Sequence, residues 1–251
     1  MIRELSRKEY VERKPLLAIA FTLVLVVAAS MPFVFSYSLQ RALAHYTNES
    51  AIEVLKNFRS YAVFIESEWI ARNLSRVLCL LALIAGAGAI AGERENKTLP
   101  LLYTSSMSLR SIVVVKFTIV AAWLFLVTFA SLGVLAAHSL VRGESLPAIG
   151  MIVASAVAWA NAMAFLGVVF AASAFSKRTV VAVPCALVAG VSIAAALWPL
   201  GLNGTAFATN VFAVDGSIVW PSAWVDVLVS FTIACAGMLA TFVEVDRRRA
   251  M

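Results

Sequence analysis

Residues 145–176 read SLPAIGMIVASAVAWANAMAFLGVVFAASAFS, and no charged side chain lies between Glu144 and Lys177. A bilayer core needs roughly 20 apolar residues per helix, and this stretch exceeds that. Its apolar residues do not alternate, as the strands of a membrane barrel would. Only a helix or a closed barrel satisfies the backbone in hydrocarbon, so the stretch reads as a spanning helix.

The same pattern recurs outward in both directions. Charge is absent from Lys14 to Arg41, Arg76 to Glu93, Lys116 to Arg142, Arg178 to Asp215 and Asp226 to Glu244. The chain has 251 residues, 62% of them hydrophobic and 14% charged, too few charges to cover a soluble domain of this length. The expected fold is all-α: a polytopic membrane protein with six transmembrane helices. The spans fall near Leu16–Tyr37, Leu74–Gly92, Ile112–Ala137, Ala148–Phe175, Val180–Leu200 and Trp224–Val243. The whole of 1–251 reads as one transmembrane domain.

The net charge is +6, which in a soluble protein would suggest nucleic acid. Here the basic residues sort by side, a topology signal. Fourteen lie in one set of segments: Arg3, Arg7, Lys8, Arg13, Lys14, Arg94, Lys97, Arg110, Lys116, Lys177, Arg178 and Arg247 to Arg249. The other set holds six: Arg41, Lys56, Arg59, Arg72, Arg76 and Arg142. Both termini are therefore expected in the cytoplasm, and nucleic acid is not an expected partner.

Residues 1–15 are expected to form an amphipathic cytoplasmic helix, with Ile2, Leu5 and Val11 toward lipid and Pro15 marking the start of the first span. Glu4, Glu9 and Glu12 in the leader, and an apolar run continuing to Phe35, argue for a retained helix rather than a cleaved signal peptide. In the outer segment 38–73, Ile52, Leu55, Phe58, Ala62, Ile65 and Trp69 recur at helical spacing, predicting an external amphipathic helix with that face buried. The outer segment 200–222, rich in Gly, Asn and Phe, is expected to turn back toward the bilayer. Cys79, Cys185 and Cys235 fall within spans and form no CxxC pair, the usual pattern of membrane cysteines. Asn48, Asn73, Asn96 and Asn203 begin N-x-[ST] triplets, which occur by chance.

Catalytic signatures are missing from the sequence. It contains no G-x-x-x-x-G-K-[ST] loop, so the chain is not a P-loop ATPase. It contains no H-E-x-x-H and no G-x-S-x-G, and its two histidines, His45 and His138, fall near the outer surface. No metal or cofactor is expected on this chain. Ionisable and amide groups inside spans are functional candidates by default: Asn161 midway in the fourth, Asp226 near the outer end of the sixth, Arg76 at the outer end of the second. A proton-coupled carrier would show more charge at mid-membrane. Gly88 and Gly92 form a small-xxx-small pair, a candidate helix-packing surface.

The inner loop after the second span is the informative one: GERENKTLPLLYTSSMSLRSIVVVK, residues 92–116. Charges come first, then an apolar segment (Leu99, Leu101, Leu102, Tyr103), then small hydroxyl residues and a lysine. A solvated loop has no need of those apolar residues, and such a patch ringed by polar groups marks a docking surface.

At this loop the chain resembles the permease subunits of type-2 ABC exporters. In that family the second helix runs into a Gly-Glu-x-Glu turn, followed by Thr, a Leu pair, a small-residue segment ending in Ser, and a Lys in the third helix. Gly92-Glu93-Arg94-Glu95, Thr98, Leu101-Leu102, Ser108 and Lys116 match in order and spacing. Pro100 stands where the family often has an acidic residue, and Ser106 where it often has Pro. The resemblance implies a plasma-membrane, multi-pass permease that pairs with a second permease, identical or related. Two separate ABC ATPase subunits, which hold the ATP and Mg, dock beneath it. It also implies that 93–111 is the coupling loop, with Glu93, Glu95, Thr98, Leu99, Leu101, Leu102, Tyr103, Ser108 and Arg110 facing the ATPase. The rival readings are an ATP-independent channel or carrier and a non-transporting accessory subunit. A copurifying ATPase separates these from the exporter.

Overall fold

The computed structural model describes residues 2–45, 61–98, 108–143, 146–197, 199 and 220–249. The expected positions of Ile52, Leu55, Phe58, Leu99, Leu101, Leu102 and Tyr103, and nearly all of the outer segment 200–222, lie outside these residues. Among the described residues there is no strand, and six helices are long and apolar enough to cross a membrane.

The helices are α1 (Ile2–His45), α2 (residues 61–87), α3 (Ala91–Glu95), α4 (Leu109–Arg142), α5 (Ala148–Phe175), α6 (Thr179–Leu197) and α7 (Trp220–Arg249). Helix α5 is the hub. Of its most apolar window 78% is buried, against 17% for α6 and 28% for α1 and α7. Apolarity does not decide this, because α6 is as apolar and lies at the periphery; in a membrane an apolar face meets lipid as readily as protein, and close packing selects the hub. α7, α2, α6 and α4 pack around it, and α1 lies on the far side of α4. Phe21 meets Trp123, and Phe33 meets His138, edge to face, so α1 and α4 run parallel.

Two boundaries differ from the sequence expectation. The N-terminal segment is not a separate helix: α1 continues through Pro15 and Pro32 as one element. A proline removes one ladder bond, which a long helix packed on neighbours tolerates. Likewise, residues 61–74 are not separated from the second span. Tyr61–Phe64 is α-helical, Ile65–Leu74 is π-helical, and Ser75–Ala87 resumes the α form without a break. Ala62, Ile65 and Trp69 are buried, as is Glu66, which α-helical spacing places off that face. The wider π winding brings the neighbouring pairs 65/66 and 69/70 onto one buried face.

Helices α5 and α7 approach to backbone contact. A Cβ on Gly167 would lie 2.8 Å from both Cα and O of Ala234, and one on Gly237 would lie 2.4 Å from the Gly167 carbonyl. Only glycine permits such backbone contact, and in a membrane it maximises packing where apolar burial alone gives no drive. Alongside this contact, Ser230 donates to the buried Asn161 at 2.7 Å. Asp226, one turn before Ser230, is buried too.

Candidate functional site

The chain's second helix ends in a break that its own glycine-rich sequence does not fully explain. Gly88 closes α2 with φ −82° and ψ −3°, and Ile90 (φ −119°, ψ −44°) opens α3. Between them the hydroxyl of Ser173, from α5, enters the helical ladder. It donates to the Ala87 carbonyl at 2.7 Å and accepts from the amides of Ile90 and Ala91 at 3.0 Å each. Ala87 and Ala91 are four apart, so an unbroken α-helix would join these two groups directly. The inserted hydroxyl takes both, along with a third orphan. Its one donor and two acceptor sites are then all used. A side chain inserted into the ladder is an established cause of a sharp bend.

Immediately beyond the break, each residue of Glu93-Arg94-Glu95 ties α3 to a different helix. Glu93 accepts from Lys116 of α4 at 2.6 Å, and Lys116 is only 4% exposed. Arg94 donates at 2.6 Å to the carbonyls of both Ala174 and Ser176, at the C-terminal end of α5. Those carbonyls have no helical partner, and a cation there also meets the negative end of the helix dipole. Glu95 accepts from the Thr179 amide at 3.2 Å, a carboxylate at the start of α6. α3 itself closes in a Schellman turn: Thr98 N–H donates to the Glu93 carbonyl at 2.9 Å and Lys97 N–H to that of Arg94 at 3.1 Å. Lys97 takes the left-handed conformation (φ 58°) that this turn requires. The Thr98 hydroxyl also donates to the Glu93 carboxylate.

Across the loop, Ser108 is the N-cap of α4, its side chain accepting from the Ser111 amide at 3.2 Å. Arg110 pairs with Asp246 near the end of α7. Arg248 pairs with Glu244 and donates to the Phe175 carbonyl at 3.0 Å. One end of the bundle thus carries a polar belt that ties together α3, α4, α5, α6 and α7.

Of the residues singled out in the sequence, Glu93, Thr98 and Lys116 form one cluster, with Glu95, Ser108 and Arg110 in the same belt. Their described partners are within the chain. Asn161 and Asp226 lie away from this belt, on the α5–α7 contact. A Cβ added to Gly88 or Gly92 would meet the Thr179 side chain at 3.9 or 3.7 Å, ordinary contact distances. The backbone approach within the described chain is made by Gly167 and Gly237 instead. Ser173 was not anticipated: a lone serine near the end of an apolar span gives no local signal of its partners.

The family model described as ABC-2 family transporter protein matches residues 6–242. The chain belongs to the ABC-2 transporter family. Comparison with curated proteins gives no match. As an ABC-2 family member the chain is a multi-pass membrane transport component, a permease of the kind that associates with ABC ATPase subunits. In this ABC-2 permease the polar anchoring at α3 therefore leads directly into the loop that carries the apolar patch of the sequence.

Proposed function

We propose that this permease is the membrane-spanning half of an ATP-driven exporter, coupled to separate ATPase subunits through residues 93–111. Leu99, Leu101, Leu102 and Tyr103 are the anchors that enter an apolar groove of the ATPase. ATP and Mg are held by that partner. A second permease, identical or related, completes the pathway, and both termini face the cytoplasm, where fourteen of the twenty basic residues then lie.

The observation that carries the reading is the anchoring of the loop at both ends. Its first end is fixed by the Glu93–Thr98 turn, and its second by the Ser108 cap. The Glu93–Lys116 pair joins the two ends directly. A displacement of the loop would act on α4, α5 and α6 together, through Lys116, the α5 carbonyls and Thr179. Coupling requires such a connection between two assemblies with discrete states. Glu93 and Glu95 act inside the permease as the fixed end of this linkage.

Leu102→Asp tests the proposal, because a charge in an apolar groove has no partner there. The variant is expected to reach the membrane at the wild-type level, to lose its copurifying ATPase, and to lose permease-stimulated ATP hydrolysis in proteoliposomes. Reduced expression with normal ATPase binding in the surviving protein contradicts the proposal, and assigns Leu102 to the permease's own packing.

A further inference from the structure

A groove of about 850 Å³ runs between α5, α6 and α7. Its walls are almost wholly apolar, formed by side chains such as Val168, Val181, Ile193, Ile233 and Ala240. The exceptions are at one end, where Ser176 and Lys177 line the mouth. From Val181 to Ile193 the α6 wall extends about 18 Å at helical rise. One leaflet of a bilayer core is about 15 Å deep, half of the full hydrocarbon thickness. The groove therefore starts at headgroup level and runs the depth of a single leaflet.

Charge at the mouth has one sign to spare. Lys177 and Arg178 are both exposed. The end of α7 lies beside them, because Arg248 reaches the Phe175 carbonyl, and Arg247 there is largely exposed. Of the acids nearby, Glu244 pairs with Arg248 and Arg247 and Asp246 with Arg110, while Glu95 accepts from the Thr179 amide and keeps its charge. Against these three acids stand Arg110, Lys177, Arg178, Arg247 and Arg248, a surplus of two positive charges.

We infer that this groove binds one anionic phospholipid of the adjoining leaflet, with acyl chain along α6 and phosphate at Lys177 and Arg178. Basic side chains at a membrane surface attract such headgroups. A second copy of the chain is disfavoured as occupant. A two-fold contact through this face would bring the basic mouths of both copies to the same depth in one interface, and like charges across an interface are repulsive. The inference requires membrane embedding and is independent of coupling to an ATPase.

The chain supplies its own reporters. Cys185 lines the groove and is exposed, Cys235 is exposed but outside the lining, and Cys79 is buried. The full-length permease, in detergent micelles doped with either phosphatidylglycerol or phosphatidylcholine, is labelled with N-ethylmaleimide and read by peptide mass spectrometry. Phosphatidylglycerol is expected to slow Cys185 labelling at lower lipid concentration than phosphatidylcholine, with Cys235 the same in both. Each basic residue removed is expected to weaken the anionic preference on the order of fivefold. Lys177→Gln with Arg178→Gln then abolishes it, while an unchanged Cys235 rate shows that the fold is kept. Equal protection by both lipids, or equal slowing of both cysteines, overturns the inference. So does Cys185 protection that follows protein concentration instead of phosphatidylglycerol, which would assign the groove to a second copy.

Discussion

Removing the Ser173 hydroxyl is the sharpest perturbation of the helix break. Ser173→Ala deletes bonds of 2.7, 3.0 and 3.0 Å at a fully buried site. If the surroundings stayed fixed, one carbonyl and two amides would lose their partners, at about 1–3 kcal/mol for each buried orphan. The backbone has a partial remedy. With the hydroxyl gone, the Ala91 amide can move onto the Ala87 carbonyl and close a regular α-helical bond, leaving the Ile90 amide as the remaining orphan. The expected loss is therefore about 2 kcal/mol, nearer one orphan than three. Ser173→Thr, which keeps a hydroxyl, is expected to lose less. Two readouts are needed: denaturant titration in mixed micelles for stability, and hydrogen exchange of a peptide covering residues 86–92. The alanine variant is expected to show faster exchange at Ile90 and a straighter junction of α2 with α3. Wild-type stability together with wild-type exchange would refute the view that Ser173 holds the break.

Lys116→Met leaves the Glu93 carboxylate without its buried cation, and is expected to cost about 1–3 kcal/mol. That is less than a fully buried pair would, because Glu93 keeps Thr98 and some solvent. Pairing it with Glu93→Gln is expected to restore most of the loss in the same titration. Gly167→Ala places a methyl against the Ala234 backbone at 2.8 Å and is expected to cost about 3 kcal/mol, seen as lost monodisperse protein on size exclusion. Gly133→Ala, with nothing within 4 Å and a position inside α4, is the steric control and is expected to cost nothing and to gain up to about 1 kcal/mol. Lys97→Gly relieves the left-handed backbone of the Schellman turn and is expected to raise stability by up to about 1 kcal/mol. A lower melting temperature for that variant would show that the lysine side chain outweighs its backbone strain.

The six apolar helices were legible because bilayer thickness sets a length and charge marks its limits; Glu144 and Lys177 alone bracket α5. Less legible was where helices begin. Residues 61–74 carry Glu66, Glu68 and Arg72, which suggests a solvated outer helix, yet a π-helical stretch joins them to the second span. The 3.6-residue period used to read a sequence does not describe that winding. At the charged end, the Gly-Glu-Arg-Glu turn stood out, but its partners did not. They are chiefly main-chain groups: two carbonyls ending α5 and one amide starting α6. Backbone groups carry no residue signature, so a sequence marks the side that reaches and not the place reached. The Gly88/Gly92 pair and the Gly167/Gly237 contact make the same point for packing. The motif spacing belonged to the first, while the close approach depends on how two distant helices cross.

Coupling as proposed requires that the loop between α3 and α4 contact an ATP-hydrolysing partner. A photoreactive amino acid at position 102, introduced in the otherwise native chain and irradiated in cell membranes, tests it most directly. A single heteromeric adduct is expected, whose second component binds ATP and which disappears when the loop carries Leu99→Asp. Adducts formed only within the permease, with no ATP-binding partner, would contradict it.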